Sequence, residues 1–307
     1  MDLQAFLITF REALEALLIV GIITTYLNRT DYGKWKKWVW LGVFFGIASS
    51  YLVALLFQVV FTGFGTMGGQ NYLKIGIMLV SCGLLTHMVM FMAKQSVDFK
   101  GKVESKIGVI ITSGSILNMV VHSYLVVLRE GVETVFFFAA ISGGDIQKAI
   151  ESWGALLGLL AAVVVSVLFF RGTRKVPLGL FFRIVSMFLL IISAGLFVQA
   201  IGILQDLGLM GTLYRTSGGE IGEIYNLTWL MPEHPLDYEQ YLRDAGQAPL
   251  LSGQIGIFFK AFLGYTQNPS LEEFLLYWLY YAGVLALLIR EKQKHFRQAA
   301  ATAPVNI

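Results

Sequence analysis

Two stretches of the chain carry the same charged pattern inside apolar surroundings: Phe10-Arg11-Glu12-Ala13-Leu14-Glu15 and Leu128-Arg129-Glu130-Gly131-Val132-Glu133. On a helix, glutamates at i and i+3 project about 60° apart from one face, so two such helices crossing gather four carboxylates around one point. Glu12, Glu15, Glu130 and Glu133 would then form a cage of hard oxygen ligands, suited to Fe(III), Mn(II), Ca(II) or Mg(II) rather than to Cu(I). Arg11 stands four residues before Glu15, and Arg129 four before Glu133. Each arginine can therefore pair with the second glutamate of its motif while no metal is bound. The same residues also admit a plainer reading, as buried Arg-Glu bridges that only fix helix packing. Two copies of the motif, each with one carboxylate more than its arginine needs, favour cation binding.

The elements that position these groups are membrane helices. The 307 residues are 56% hydrophobic and only 14% charged, so most of the chain cannot be solvated as a soluble surface. Apolar runs long enough to cross about 30 Å of hydrocarbon lie near 3–27, 39–61, 72–93, 116–141, 153–170, 180–204 and 272–290. The stretch 107–141 is longer than one crossing needs. Its polar start (Thr112, Ser113, Gly114, Ser115, Asn118) predicts an interfacial or broken helix. Both Glu pairs fall about ten residues from the outer ends of their spans, about 15 Å deep. An ionised group at that depth costs roughly 2.5 to 3.5 kcal/mol, so six of them facing lipid would cost on the order of 15 kcal/mol. They must face one another, water or an ion.

Lysine and arginine alternate from loop to loop. Arg29, Lys34, Lys36 and Lys37 in the first, Lys94, Lys100, Lys102 and Lys106 in the third, Arg171, Arg174 and Lys175 in the fifth, and Arg290 to Arg297 in the tail fall on one side. The positive-inside rule then puts the N-terminus outside and the C-terminus in the cytoplasm. The segment from Gln205 to Glu273 has nine acids against three bases and is expected outside, either as a cation-concentrating vestibule or as an ordinary solvated loop.

The motif recurs within a larger echo. Gly42 and Gly46 open the second span as Gly154 and Gly158 open the fifth. Ser81-Cys82-Gly83-Leu84 in the third matches Ser193-Ala194-Gly195-Leu196 in the sixth, and Gly42 to Gly83 and Gly154 to Gly195 are both 41 residues apart. Small residues four apart allow close helix approach in lipid. The expected fold is all-α and polytopic, with seven transmembrane helices arranged as an inverted 3+3 repeat plus one. Its parts are 1–106 (spans 1 to 3), 107–204 (spans 4 to 6), 205–271 (an acidic extracytoplasmic loop) and 272–307 (span 7 and a basic tail). Inverted repeats place transporter sites near the midplane where the halves meet.

Other chemistry is thinner. His122, on the face of Glu133 three turns away, is read first as an ordinary histidine and second as an exit-path ligand. His87 lies among Met88, Met90 and Met92, whose alternate spacing points them around the helix, as packing requires. Glu220 and Glu223 repeat the Glu-x-x-Glu spacing in the outer loop and could capture ions before entry. The lone Cys82 excludes an intrachain disulfide and a cysteine metal cluster. A net charge of +3 without a basic patch argues against nucleic acid. An acid at position 2 argues against a cleaved signal, and phosphate loops, Ser-His-Asp sets and HExxH are absent.

At the two Arg-Glu-x-x-Glu helices, at Trp229-Leu230, and at Phe262-Leu263-Gly264-Tyr265 with Pro269-Ser270, the chain resembles the oxidase-dependent iron permease (iron/lead transporter) family over almost its whole length. The resemblance implies a seven-span permease of a plasma or bacterial inner membrane. Such a permease takes Fe(III) from a partner ferroxidase or periplasmic iron-delivery protein, with iron as cargo and no prosthetic group, and its iron-binding glutamates map onto Glu12, Glu15, Glu130 and Glu133. Two positions depart from the family pattern: Ala13 replaces a glycine, and Lys74 stands where span 3 usually opens with an acid. The alternative expectation is a non-transporting metal sensor or subunit of an uptake complex using the same carboxylates. An intramembrane di-metal oxidase is disfavoured because no Glu-x-x-His accompanies them, so the chain is not expected to be an enzyme.

Overall fold

The computed structural model describes residues 2–302 apart from 67–68, 96–98, 172–177, 217, 219–220, 234 and 252. The described residues build helices, with two isolated β-bridges (Arg215 to Ile221 and Glu223 to Ser270). Two compact units, Met1–Ile192 and Ser193–Ile307, divide the chain. The first holds α1 (Asp2–Arg29), α2 (Lys36–Thr66), α3 (Gln70–Gln95), α4 (Phe99–Thr112), α5 (Ile116–Ile141), α6 (Ile146–Ile150), α7 (Trp153–Phe170) and the start of α8 (Leu178–Asp206). The second holds the rest of α8, then α9 (Pro235–Ala245), α10 (Gly253–Leu263) and α11 (Leu271–Thr302).

A helix therefore occupies each of the seven apolar runs. Five helical segments, Gly33–Gly63, Gln70–Met90, Trp153–Phe170, Arg183–Asp206 and Leu271–Arg290, are long and apolar enough to cross a membrane. The chain is an all-α membrane protein. Helices suit that setting because they satisfy their own backbone polar groups. α1 and α5, at 28 and 26 residues, are long enough as well, but each is interrupted by the one arginine and two glutamates of its motif. The expected break before α5 is present. α4 stops at Thr112, Gly114 adopts φ +66°, and the Ser115 hydroxyl caps α5 by accepting a 3.2 Å hydrogen bond from the Asn118 amide.

In the first unit α1 packs along α7 and α2 along α5, while α5 also touches α1 and α3. Glycines set these approaches. A Cβ on Gly158 of α7 would sit 2.6 Å from the Phe6 carbonyl of α1, and one on Gly42 of α2 would sit 2.5 Å from the Val120 carbonyl of α5. Gly46 meets Val127 in the same seam. The second helix of each expected half thus lies on the motif-bearing helix of the other. Phe10, Leu14, Leu18 and Ala162 fill the α1/α7 seam, and Ser81 Oγ ties α3 to α5 by donating 3.1 Å to the Phe136 carbonyl. The two Ser-x-Gly motifs differ in use, since Gly83 faces open space whereas Gly195 packs against the backbone of Gly264.

In the second unit, the expected outer segment is more structured than a solvated loop. The Gly264 turn, with φ +67°, lets its backbone lie directly on Gly195 of α8, a conformation and an approach that only glycine allows. Ser270 and Glu273 form a reciprocal capping box at the start of α11. The Glu273 amide donates to Ser270 Oγ (3.1 Å), and the Ser270 amide donates to Glu273 Oε2 (2.9 Å). Glu272 is buried and accepts from Gln205 Nε2 (3.0 Å) and from the Leu213 amide. The Trp229 and Leu230 carbonyls accept from the Leu250 and Leu251 amides. Tyr265 donates 2.9 Å to the Met231 carbonyl, and burial, reinforced by the nearby Glu233 charge, pushes its phenol up to about 12, so it stays a donor at neutral pH.

Candidate metal centre

The middle turns of α1 and α5 face each other, and their burial follows the spacing of the motifs. Arg11, Glu12, Glu15 and Glu130 are buried and Glu133 is half-buried, but Arg129 is exposed. What holds the α5 motif in place is the glycine inside it. Gly131 lies against Ser50 of α2, where a Cβ would collide with the serine side chain. Ser50 itself donates 2.8 Å to the Gly46 carbonyl, and Thr134 Oγ1 donates 2.8 Å to the Glu130 carbonyl.

Carboxylate oxygens of Glu12, Glu130 and Glu133 lie within 4.8 Å of one another. Like charges do not share so small a space in a dry interior without a cation or protons. Glu12 Oε2 and both Glu130 oxygens are buried without a hydrogen-bond donor among the described residues. Buried anionic oxygens without hydrogen bonds, on residues whose carboxylates converge, are what a bound cation would satisfy.

Each arginine contacts both glutamates of its own motif. Arg11 Nη1 donates 2.7 Å to Glu12 Oε1, and Arg11 Nη2 lies 2.7 Å from Glu15 Oε1. Arg129 Nη2 lies 2.9 Å from Glu130 Oε1, and its Nε lies 3.3 Å from Glu133 Oε1. The contacts to Glu15 Oε1 and Glu130 Oε1 are ion pairs by distance, but their N–H groups are not aimed at those oxygens. Arg11 has a further partner that spacing alone did not single out, the Sδ of Met88 on α3. Nothing in a lone methionine of an apolar run announces such a role.

Of the expected ligands, then, Glu12, Glu130 and Glu133 converge, while Glu15 stands outside that group of oxygens, beside Arg11. Glu15 still interacts electrostatically with Arg129 and Glu133. His122 is half-buried, eight residues before Glu130, so about 12 Å away along the axis. His87 is exposed. Lys74 is near Gly143, its Cε 3.9 Å from where a Cβ would be, and Gly143 lies just beyond the end of α5 at Ile141, ten residues after Glu133. Glu223 is exposed and accepts from Asn268 Nδ2 (2.7 Å) and Asn226 Nδ2 (3.1 Å); Glu220 lies outside the described residues. Glu223 also borders a cavity of about 400 Å³ within the second unit, with Gln199, Asp206, Lys260 and Glu273 among its lining. Lys260 is already paired there with Glu233 at 2.8 Å.

Residues 2–293 match the model of the iron permease FTR1 family. Relatives named ferrous iron permease EfeU include one from Yersinia pestis, 30% identical over 300 residues and covering 97% of both chains. Another, from Escherichia coli O6:K15:H31, is 28% identical over 289 residues, covering 92% of this chain and 94% of that one. A third, from Shigella sonnei, is 29% identical over 280 residues, with 90% and 91% covered. No solved structure matches the chain.

Proposed function

Because the chain belongs to the iron permease FTR1 family, we propose that it carries iron inward across a bacterial inner or plasma membrane through a site built from its two Arg-Glu-x-x-Glu helices. The observation that carries this reading is the convergence of Glu12, Glu130 and Glu133 oxygens from two helices within 4.8 Å. Glu15 completes the four-carboxylate set at its edge. Seven spans in an inverted 3+3 repeat plus one, N-terminus outside and C-terminus inside, put this site near the midplane. The reciprocal seams of α1 with α7 and α2 with α5 support that arrangement. Iron arrives from a ferroxidase or periplasmic delivery protein at the acidic outer segment, exchanges its carrier's ligands for carboxylates, and leaves inward as the site's access alternates.

Charge bears on the oxidation state. Four ionised carboxylates and two guanidiniums leave a formal charge of −2, which Fe(II) neutralises, and the relatives' names specify ferrous iron. Hard anionic oxygen alone favours Fe(III). The test is uptake of radiolabelled iron by liposomes containing the purified protein alone, supplied either as Fe(II) under ascorbate or as Fe(III) citrate. Accumulation that E130Q lowers at least about ten-fold is expected for the permeant form. Binding without flux in both forms would instead favour the sensor or subunit reading.

A further inference from the structure

The two motifs are alike in sequence but not in surroundings. The Arg11 side chain is 1% exposed and reaches Glu12, Glu15 and Met88 at once. The Arg129 side chain is 53% exposed and contacts only its own two glutamates among the ion pairs of the described residues. Arg11 is enclosed between two buried glutamates, whereas Arg129 is half-exposed and can leave buried Glu130 once an incoming cation takes over its compensating charge. The convergent oxygens follow the same division. Glu130 and Glu133, the partners of Arg129, are both in the cluster, but of the partners of Arg11 only Glu12 is.

We infer that the arginines have different tasks, an inference that rests on the permease site proposed above. Arg129 is a displaceable counter-ion that leaves Glu130 and Glu133 when the cation enters. Arg11 stays in place between Glu12 and Glu15, and the loaded site consists of Glu12, Glu130 and Glu133, the three whose oxygens converge. With Arg129 withdrawn, the four carboxylates and Arg11 carry a formal charge of −3. The same movement thus converts a site balanced for a divalent ion into one balanced for a trivalent ion.

The experiment measures binding of Mn(II), and of Ga(III) as a redox-inert trivalent probe, to the full-length protein in nanodiscs. R129Q removes a competing charge and is expected to tighten binding by about five-fold, more for Ga(III) than for Mn(II), while R129K stays near wild type. E15Q is expected to bind within about two-fold of wild type, whereas E12Q, E130Q and E133Q each lose at least about ten-fold. R11Q alone strands buried carboxylates and is expected to lower protein yield, so the charge-neutral pair R11Q/E15Q is the informative variant. It should restore both yield and binding, but R129Q/E133Q should not restore binding. If E15Q weakens binding as much as E130Q, or R129Q weakens it at all, the division of labour is wrong although the site stands. If E12Q, E130Q and E133Q all bind as wild type does, the site itself is wrong.

Discussion

A carboxylate in the middle of a membrane helix is tolerable only where something positive or wet faces it, and here three of them face each other. That arrangement makes Glu130 the sharpest single probe, since it is buried, neither of its oxygens accepts a hydrogen bond among the described residues, and it belongs to the cluster. Glu223, by contrast, is exposed and held by two asparagine amides, so its charge acts on incoming ions only through a screened aqueous field. E130A is therefore expected to lower cellular iron uptake at least about ten-fold at unchanged protein level, and E223A at most about two-fold. Uptake assays normalised to membrane protein decide this; equal losses would move the selective step to the outer segment.

Helix positions are set by glycine on one side and by capping on the other. Gly158 admits the α1 backbone to α7, and a side chain there must push the helices apart, displacing Glu12 and Glu15 with them. G158V is expected to destabilise the protein by about 2 kcal/mol and to impair uptake. G83V, on α3 with nothing within 4 Å, is expected to be near neutral despite the equal chemical change. Thermal unfolding in detergent compares the two. At α11 the Ser270 hydroxyl and the Glu273 carboxylate satisfy each other's backbone amides, so S270A should cost about 1 kcal/mol in the same assay. Neither the open space at Gly83 nor the backbone contact at Gly195 is visible in their matched motifs, because packing partners come from residues far along the chain.

For the molecule as a whole, the charge pattern of the loops predicts that the termini lie on opposite sides. Tags reactive to a membrane-impermeant reagent should be accessible at the N-terminus in intact cells, and at the C-terminus only after permeabilisation. Both ends on one side would remove the seven-span topology and the inverted repeat together. Inward iron flux by the protein alone, with no added partner, is the corresponding functional expectation.

Local chemistry was legible from the residues themselves. Helices at all seven apolar runs, the break before Ile116, and six ionisable residues too costly to face lipid follow from hydropathy, turn propensity and desolvation, which act over a few neighbouring residues. Two motifs of the same pattern could not reveal that Glu15 is not among the carboxylates whose oxygens lie within 4.8 Å of one another, that Arg11 is enclosed while Arg129 is not, or that Met88 reaches Arg11. Those distinctions arise because each motif is surrounded by different helices. Which helices those are is decided by packing between segments distant in sequence, and the repeat that makes the motifs alike does not make their neighbourhoods alike.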